Sequence, residues 1–385
     1  MAAYIPYTYA ANLQLELSVS KDFGQGGQLE GSAEHAIRCL TRIRCSCYSF
    51  VAKEMASRLG LEEAEAIVRR GIRDFGRYLG GKMRLAAEAR GLPLDVQNLS
   101  GWWYPSARAA ARYSGTSAPS ASMPHYSAHT YAPCPNMDAY GPLCPQKLAV
   151  AICEEIHLAI AKGFNPDIDV WHPALLPRGQ NHCGFVFEMP FEAAQRAMDA
   201  ALQQREILKA EGKPLAQDLH EPQPEGDPSD PAYAYVRYAP RHCHQYHFIA
   251  NELARSLGTE ETMRLLRAAA RDWGTWRGEE MRREHLRRGW PLNVETFIRY
   301  YDDPAAGDAW VAENVELNER EHHRTVTKSA FATLFAEVGT GQYALPLYED
   351  AIPAQATAYH PAVRVEILHL MERGDSVSEF HIWME

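Results

Sequence analysis

Tyr48–Val96 reads YSFVAKEMASRLGLEEAEAIVRRGIRDFGRYLGGKMRLAAEARGLPLDV, and Tyr246–Val294 reads YHFIANELARSLGTEETMRLLRAAARDWGTWRGEEMRREHLRRGWPLNV. The two align without a gap, and about 21 of 49 positions are identical, more than shared helicity gives by chance. The common residues punctuate helices. Gly60 and Gly258 each follow a stretch of helical period, where a glycine in the left-handed conformation ends a helix. Glu62-Glu63 and Glu260-Glu261 come next, acids suited to the positive end of the following helix. That helix runs to Gly91 or Gly289, and Pro93 or Pro291 blocks its continuation. The chain is therefore expected to be a tandem duplication.

The later part of each half aligns more weakly, again without a gap. Cys134–Met189 falls on Ser329–Met384, with Arg178-Gly179 against Arg373-Gly374 and Phe185 against Phe380. Between the blocks, Tyr113–His129 is rich in Ser, Ala and Pro and reads as loop. Its counterpart Asp302–His323 is acidic and reads as partly helical. Next come a β-like run (His129–Pro133; Arg324–Lys328) and a third helix (about Gln146–Ala161; Tyr343–Ala356). Two strands around the Arg-Gly turn close each half, the last alternating as Phe185-Val186-Phe187-Glu188 and Phe380-His381-Ile382-Trp383. The expected class is α+β: two tandem related domains, each with long helices followed by a small antiparallel sheet. The expected boundaries are an N-terminal extension over 1–33 with a strand-like Leu13–Val19, a first repeat over 34–190 and a second over 233–385. Residues 191–232 connect them through an amphipathic helix near Glu192–Lys209 and a Pro/Asp/Glu-rich linker, Pro214–Pro231.

Of 385 residues, 46% are apolar and 23% charged, with a net charge of −10. That composition is globular, and the length suffices for two cores. The acidic balance disfavours nucleic acid, and the Arg-rich stretch Arg282–Arg288, interleaved with Glu and His, reads as a solvated helix face. No run approaches the roughly 18 apolar residues of a membrane helix. Met1–Ala10 lacks the pattern of a secretory signal. The eight cysteines are accordingly expected as free thiols in a reducing cytoplasm.

Seven of the eight lie in the first half, which makes the internal comparison informative. Cys134, Cys144, Cys153 and Cys183 face Ser329, Gly339, Tyr348 and Ser378, while His182 and His157 face Val377 and Ile352. A buried thiol often serves only as a small apolar residue, but four parallel losses to Ser, Gly and Tyr are a weaker fit to that role. A thiol needs a neighbouring His or a helix terminus to become thiolate, and carboxylates orient or protonate. Cys153-Glu154-Glu155 with His157 one turn on, and His182-Cys183 beside the turn, supply those types. Acids kept in both halves (Glu154/Glu349, Glu155/Asp350) and the pairs Arg73-Asp74 and Arg271-Asp272 suit the fold itself. Close metal-ligand pairs are limited to Cys45-x-Cys47 and the run His242-Cys243-His244…His247; His244 and His247 could share a helix face, but their counterparts Ser46 and Ser49 are not ligands of that kind, so no metal is expected. Gly24-Gln25-Gly26-Gly27 opens no phosphate loop, no Gly-x-Ser-x-Gly elbow occurs, and no cofactor is expected.

The combination of Cys134-Pro135, Cys153-Glu154-Glu155 and the closing Arg178-Gly179-Gln180-Asn181-His182-Cys183-Gly184-Phe185 resembles the L-2-amino-thiazoline-4-carboxylic acid hydrolase family. Members of that family usually carry an acid after the turn glycine. Gln180 departs from this, whereas Asp375 in the second half keeps it. The resemblance implies hydrolytic opening of a small cyclic amidine or thioimidate, a small-molecule substrate with neither nucleic acid nor membrane as partner. One of Cys153, Cys183 or Cys134 is then the nucleophile, with His182 and Glu154 as acid/base candidates and Glu155 and His157 contacting substrate. The second repeat is expected as scaffold. Alternatives are a ligand-binding or thiol-sensing module without turnover, and a different enzyme of sulfur- or nitrogen-containing small metabolites.

Overall fold

The computed structural model describes residues 33–102, 121–131, 143–221, 231–302, 310–339 and 341–385. The strand-like Leu13–Val19 and Cys134 lie outside them. Both halves follow one order: two long helices, a short helix, a hairpin, helix, and two closing strands. The first has α1 (Ala33–Leu59), α2 (Leu61–Glu88), α3 (Val96–Gly101), β1 (Ala121–Met123), β2 (Tyr126–Tyr131), α4 (Gln146–Phe164), β3 (Asp169–Ala174) and β4 (Cys183–Glu188). The connecting helix α5 (Phe191–Ala210) follows. The second has α6 (Pro231–Leu257), α7 (Thr259–Arg287), α8 (Val294–Arg299), β5 (Trp310–Leu317), β6 (Glu321–Ser329) and α9 (Ala330–Val338). It ends with α10 (Leu345–Glu349), α11 (Ala351–Tyr359), β7 (Val363–His369) and β8 (Ser378–Met384). The class is α+β, with long helices and then a four-stranded antiparallel sheet in each half. Among the described residues no helix is long and apolar enough to cross a membrane.

The punctuation has a physical basis. Gly60 and Gly258 sit at φ 81° and 80°, a region where a Cβ is costly. Asp95 and Asn293 each cap the short helix that follows, accepting the amide hydrogens of Asn98 and Thr296 at 2.8 Å. The two sheets share one strand order, β1-β2-β4-β3 and β5-β6-β8-β7.

Three expectations are corrected. Within Tyr113–His129, the described part is the β1–β2 hairpin, with Met123 opposite Tyr126, because inward Ser127 and His129 alternate with outward neighbours. Asp302–His323, where described, is a strand hairpin apart from Asp302 and the bend 318–320: β5 is an edge strand whose glutamates at 313 and 316 face solvent, so its acidity marks an exposed edge and not a helix. The third helix of the second half is two pieces, α10 and α11, divided at Asp350. Pro353 lacks the amide hydrogen that would bond Glu349 and its ring crowds that carbonyl. The opening of the connecting segment is held in place: Asn98 donates to Leu219 O at 2.9 Å and Ala216 donates to Arg90 O at 3.1 Å.

Compactness follows a different division from the repeat. One unit is built from described residues within Met1–Ala64, Asp138–Pro145 and Asp227–Glu385, the other from those within Glu65–Met137 and Gln146–Gly226. In the second unit α2 and α4 press together backbone to backbone: a Cβ on Gly80 would lie 2.1 Å from Ile160 O. Ile72, Phe75, Ile156 and Phe164 are buried in that unit. In the first unit α1 packs with α6 and α7, and Trp273 Nε1 donates to Ser46 Oγ at 2.9 Å. There α7 meets α11 as α2 meets α4, with a Cβ on Gly274 falling 2.1 Å from Ala351 O.

Candidate functional site

Each half carries the same ion-pair frame. Arg69 reaches Glu154 at 2.7 Å and Glu155 at 3.3 Å, Arg73 reaches Glu155 at 3.1 Å, and Arg178 holds the other oxygen of Glu154 at 2.7 Å. The second half repeats this with Arg267 on Glu349 and Asp350 at 2.6 Å each, Arg271 on Asp350 at 2.6 Å and Arg373 on Glu349 at 2.9 Å. Burial favours the neutral form of Glu154, but hydrogen bonds from Arg178 and Arg69 outweigh it and hold the carboxyl below its ordinary range. Glu349 is lowered in the same way by Arg267 and Arg373. A carboxylate clamped by two guanidiniums holds no proton to give at neutral pH.

The Arg-Gly turn is also duplicated in detail. Leu176 N–H donates to Cys183 Sγ at 3.3 Å, and Met371 N–H donates to Ser378 Oγ at 3.0 Å. Leu175 N–H donates to Gln180 Oε1 at 2.5 Å, and Leu370 N–H to Asp375 Oδ2 at 2.7 Å. Sulfur and oxygen, amide and carboxylate, thus satisfy one pair of backbone donors. Cys183 is buried in this role. His182 stands on the exposed turn, its Nδ1 2.7 Å from Asn181 Oδ1.

What differs between the halves lies where α4 covers the sheet. His157 of α4, His172 of β3 and Phe185 of β4 form one aromatic cluster, with ring centroids 4.2 Å (His157–Phe185), 5.4 Å (His172–Phe185) and 5.5 Å (His157–His172) apart. The corresponding second-half residues are Ile352, Ile367 and Phe380. Half-buried Cys153 lies one helical turn before His157, where the second half has Tyr348.

The protonation states follow from the surroundings. His157 Nδ1 lies 3.1 Å from the Cys153 carbonyl oxygen. A carbonyl only accepts, so Nδ1 carries the proton and Nε2 is left as the basic atom. Burial, then the nearby Arg178 charge, lower the His172 pKa to about 4 against the opposing pull of Glu154. His172 is therefore neutral at pH 7, and its buried Nε2 has no hydrogen-bond partner among the described residues. Further along the same face, buried His129 sits 2.8 Å from Ser127 Oγ and is likewise lowered by burial to about 4.

Of the residues singled out in the sequence, Cys153, Glu154, Glu155 and His157 share one stretch of α4, with Arg178 linking Glu154 to the turn. Cys183 is tied to the turn backbone. His172 was not singled out, although the signal was present in its pairing with Ile367, the same polar-to-apolar exchange seen at His157 and Ile352. Cys47, Cys144, Cys153, Cys183 and Cys243 are unbridged thiols. Compared with family models, with curated proteins and with solved structures, the chain finds no match.

Proposed function

We propose that this chain hydrolyses a small cyclic amidine or thioimidate, with Cys153 as nucleophile and His157 as its acid/base partner. The observation that carries the reading is the asymmetry of the duplicated site. His157 and His172 gather in the first half around Phe185, with Cys153 one helical turn before His157, where the second half has Ile352, Ile367 and Tyr348. The repeat holds the frame common and confines the reactive groups to one copy.

In the proposed course, His157 Nε2 takes the Cys153 proton and the thiolate adds to the ring carbon flanked by nitrogen and sulfur. The carbon–sulfur bond of the ring breaks, and the departing sulfur takes the proton back from His157. Water, deprotonated by His157, then adds to the S-linked amidine. The Cys153 sulfur leaves as thiol and the product keeps a carbamoyl group. Neutral His172 offers hydrogen bonding without charge, and Arg178 with Glu154 sets the local field.

The test uses 2-amino-thiazoline-4-carboxylate and follows release of the product thiol. Cys153→Ser is expected to cut turnover at least a hundredfold while substrate binding persists, since an alcohol is a far poorer nucleophile at neutral pH. His157→Gln is expected to lower turnover at least about a hundredfold. Absence of ring opening by the wild type at any enzyme concentration, with the compound nonetheless bound, would favour a ligand-binding or thiol-sensing module.

A further inference from the structure

The outer face of the second sheet carries a group of side chains that the first sheet lacks. His323 of β6 and His381 of β8 are direct cross-strand partners, and Glu366 of β7 is the partner of His381 on its other side. A row of His, His and Glu thus crosses three adjacent strands on one face. The first-half counterparts are Ala128, Val186 and Trp171. A structural role for the row is not shared by the duplicated fold.

The hydrogen bonds around the pair set its chemistry. His323 Nε2 lies 2.7 Å from Glu379 Oε1, and His381 Nε2 lies 2.8 Å from Glu321 Oε1. With each neutral ring donating from Nε2 to a carboxylate, each Nδ1 keeps an unprotonated lone pair. A carboxylate that orients an imidazole and raises its basicity in this way is the usual support behind a metal-bound histidine. The rings stand 5.8 Å apart, centroid to centroid. A cation bonded to one nitrogen of each ring at about 2.0–2.1 Å places the centroids about 5–6 Å apart at a near-tetrahedral angle. Both rings are part-exposed, at 33% and 30%, so an ion reaches them from solvent.

We propose that His323 and His381 form a chelating site for a divalent transition cation of the zinc, nickel or copper type. Carboxylate–imidazole pairs on a surface are commonly ion pairs and nothing more. Three features distinguish this pair: the cross-strand register, the matched tautomers and the ring separation. Among the described residues no three His, Cys, Asp or Glu donors already stand about one point. The site is therefore a two-imidazole chelate, with water and, after a rotation of its exposed side chain, Glu366 completing the coordination.

The experiment is calorimetric titration of the full chain with zinc chloride at pH 7.5. The comparison is with His323→Gln and His381→Gln, which keep a donor for Glu379 and Glu321 and so preserve the surface. Binding of about one equivalent by the wild type, weakened at least tenfold in each variant and unchanged in His244→Gln, is the expected result. No saturable binding by the wild type, or equal binding by the variants, would overturn the proposal. Ring opening is measured in parallel on the metal-free chain, so failure here is separable from failure of the hydrolase reading.

Discussion

Cys183 and Ser378 occupy one position in two copies of a turn, and each accepts the amide hydrogen that opens it. Ser at position 183 therefore keeps the acceptor, and Cys183→Ser is expected to leave the melting temperature within a few degrees and turnover within about threefold of wild type, as read by thermal unfolding and steady-state rate. Cys183→Ala leaves the half-buried Leu176 amide without its acceptor and is expected to cost about 1 kcal/mol. If Cys183→Ser abolishes turnover, the nucleophile is Cys183 and not Cys153. At this scale the sequence marks the reactive residue types but not their tasks. Parallel loss of Cys134, Cys153 and Cys183 in the second half looks alike on paper, whereas in space Ser378 replaces Cys183 in kind and Tyr348 replaces Cys153 with a different residue altogether. Glu154 and Glu349 show the reverse: their retention in both halves already pointed to the frame they hold.

The elements were legible wherever period and punctuation agreed. The glycine-ended helices α1, α2, α6 and α7 and the closing hairpins fall where the alternation and the Gly-Glu-Glu junctions place them. β5 was not legible, because its glutamates occur at spacings compatible with a helix face, and only pairing with β6 decides between the two. The close packing of α2 on α4 and of α7 on α11 was also hidden, since a mid-helix glycine by itself argues only for weakness. Its meaning is contact: Gly80→Ala brings a methyl to 2.1 Å from Ile160 O, and Gly274→Ala does the same at Ala351 O. Each is expected to destabilise the chain by about 1–3 kcal/mol or more despite alanine's higher helix propensity, seen as a lower denaturation midpoint. Gly81→Ala, in open space on the same helix, is the control and is expected to be neutral or slightly stabilising.

At the scale of the whole molecule, His129, His172, His285 and His322, among the described residues, share one electrostatic condition. Burial lowers His129, His172, His285 and His322 to about 4, largely through desolvation. Their unfolded values lie near 6.5, so between about pH 6.5 and pH 4 the unfolded chain binds more protons and stability falls as pH falls. Each contributes a loss of at most about 3 kcal/mol, complete once the pH is below both values. The denaturation midpoint is expected to drop steeply from pH 7 to pH 5, and His322→Gln is expected to make that slope shallower. The packing of α1 with α6 and α7 has a further consequence, in the order of synthesis. The ribosome makes α1 early and its partners late, with α7 ending at Arg287. At ordinary elongation rates that interval is roughly 10–50 s. Throughout it, the apolar face bearing Val51, Ala52 and Met55 emerges with its cover not yet translated, while the residues between Glu65 and Gly226 already contain everything their own unit requires. The unit that holds α2 and α4 is therefore complete on the nascent chain before the one that holds α1.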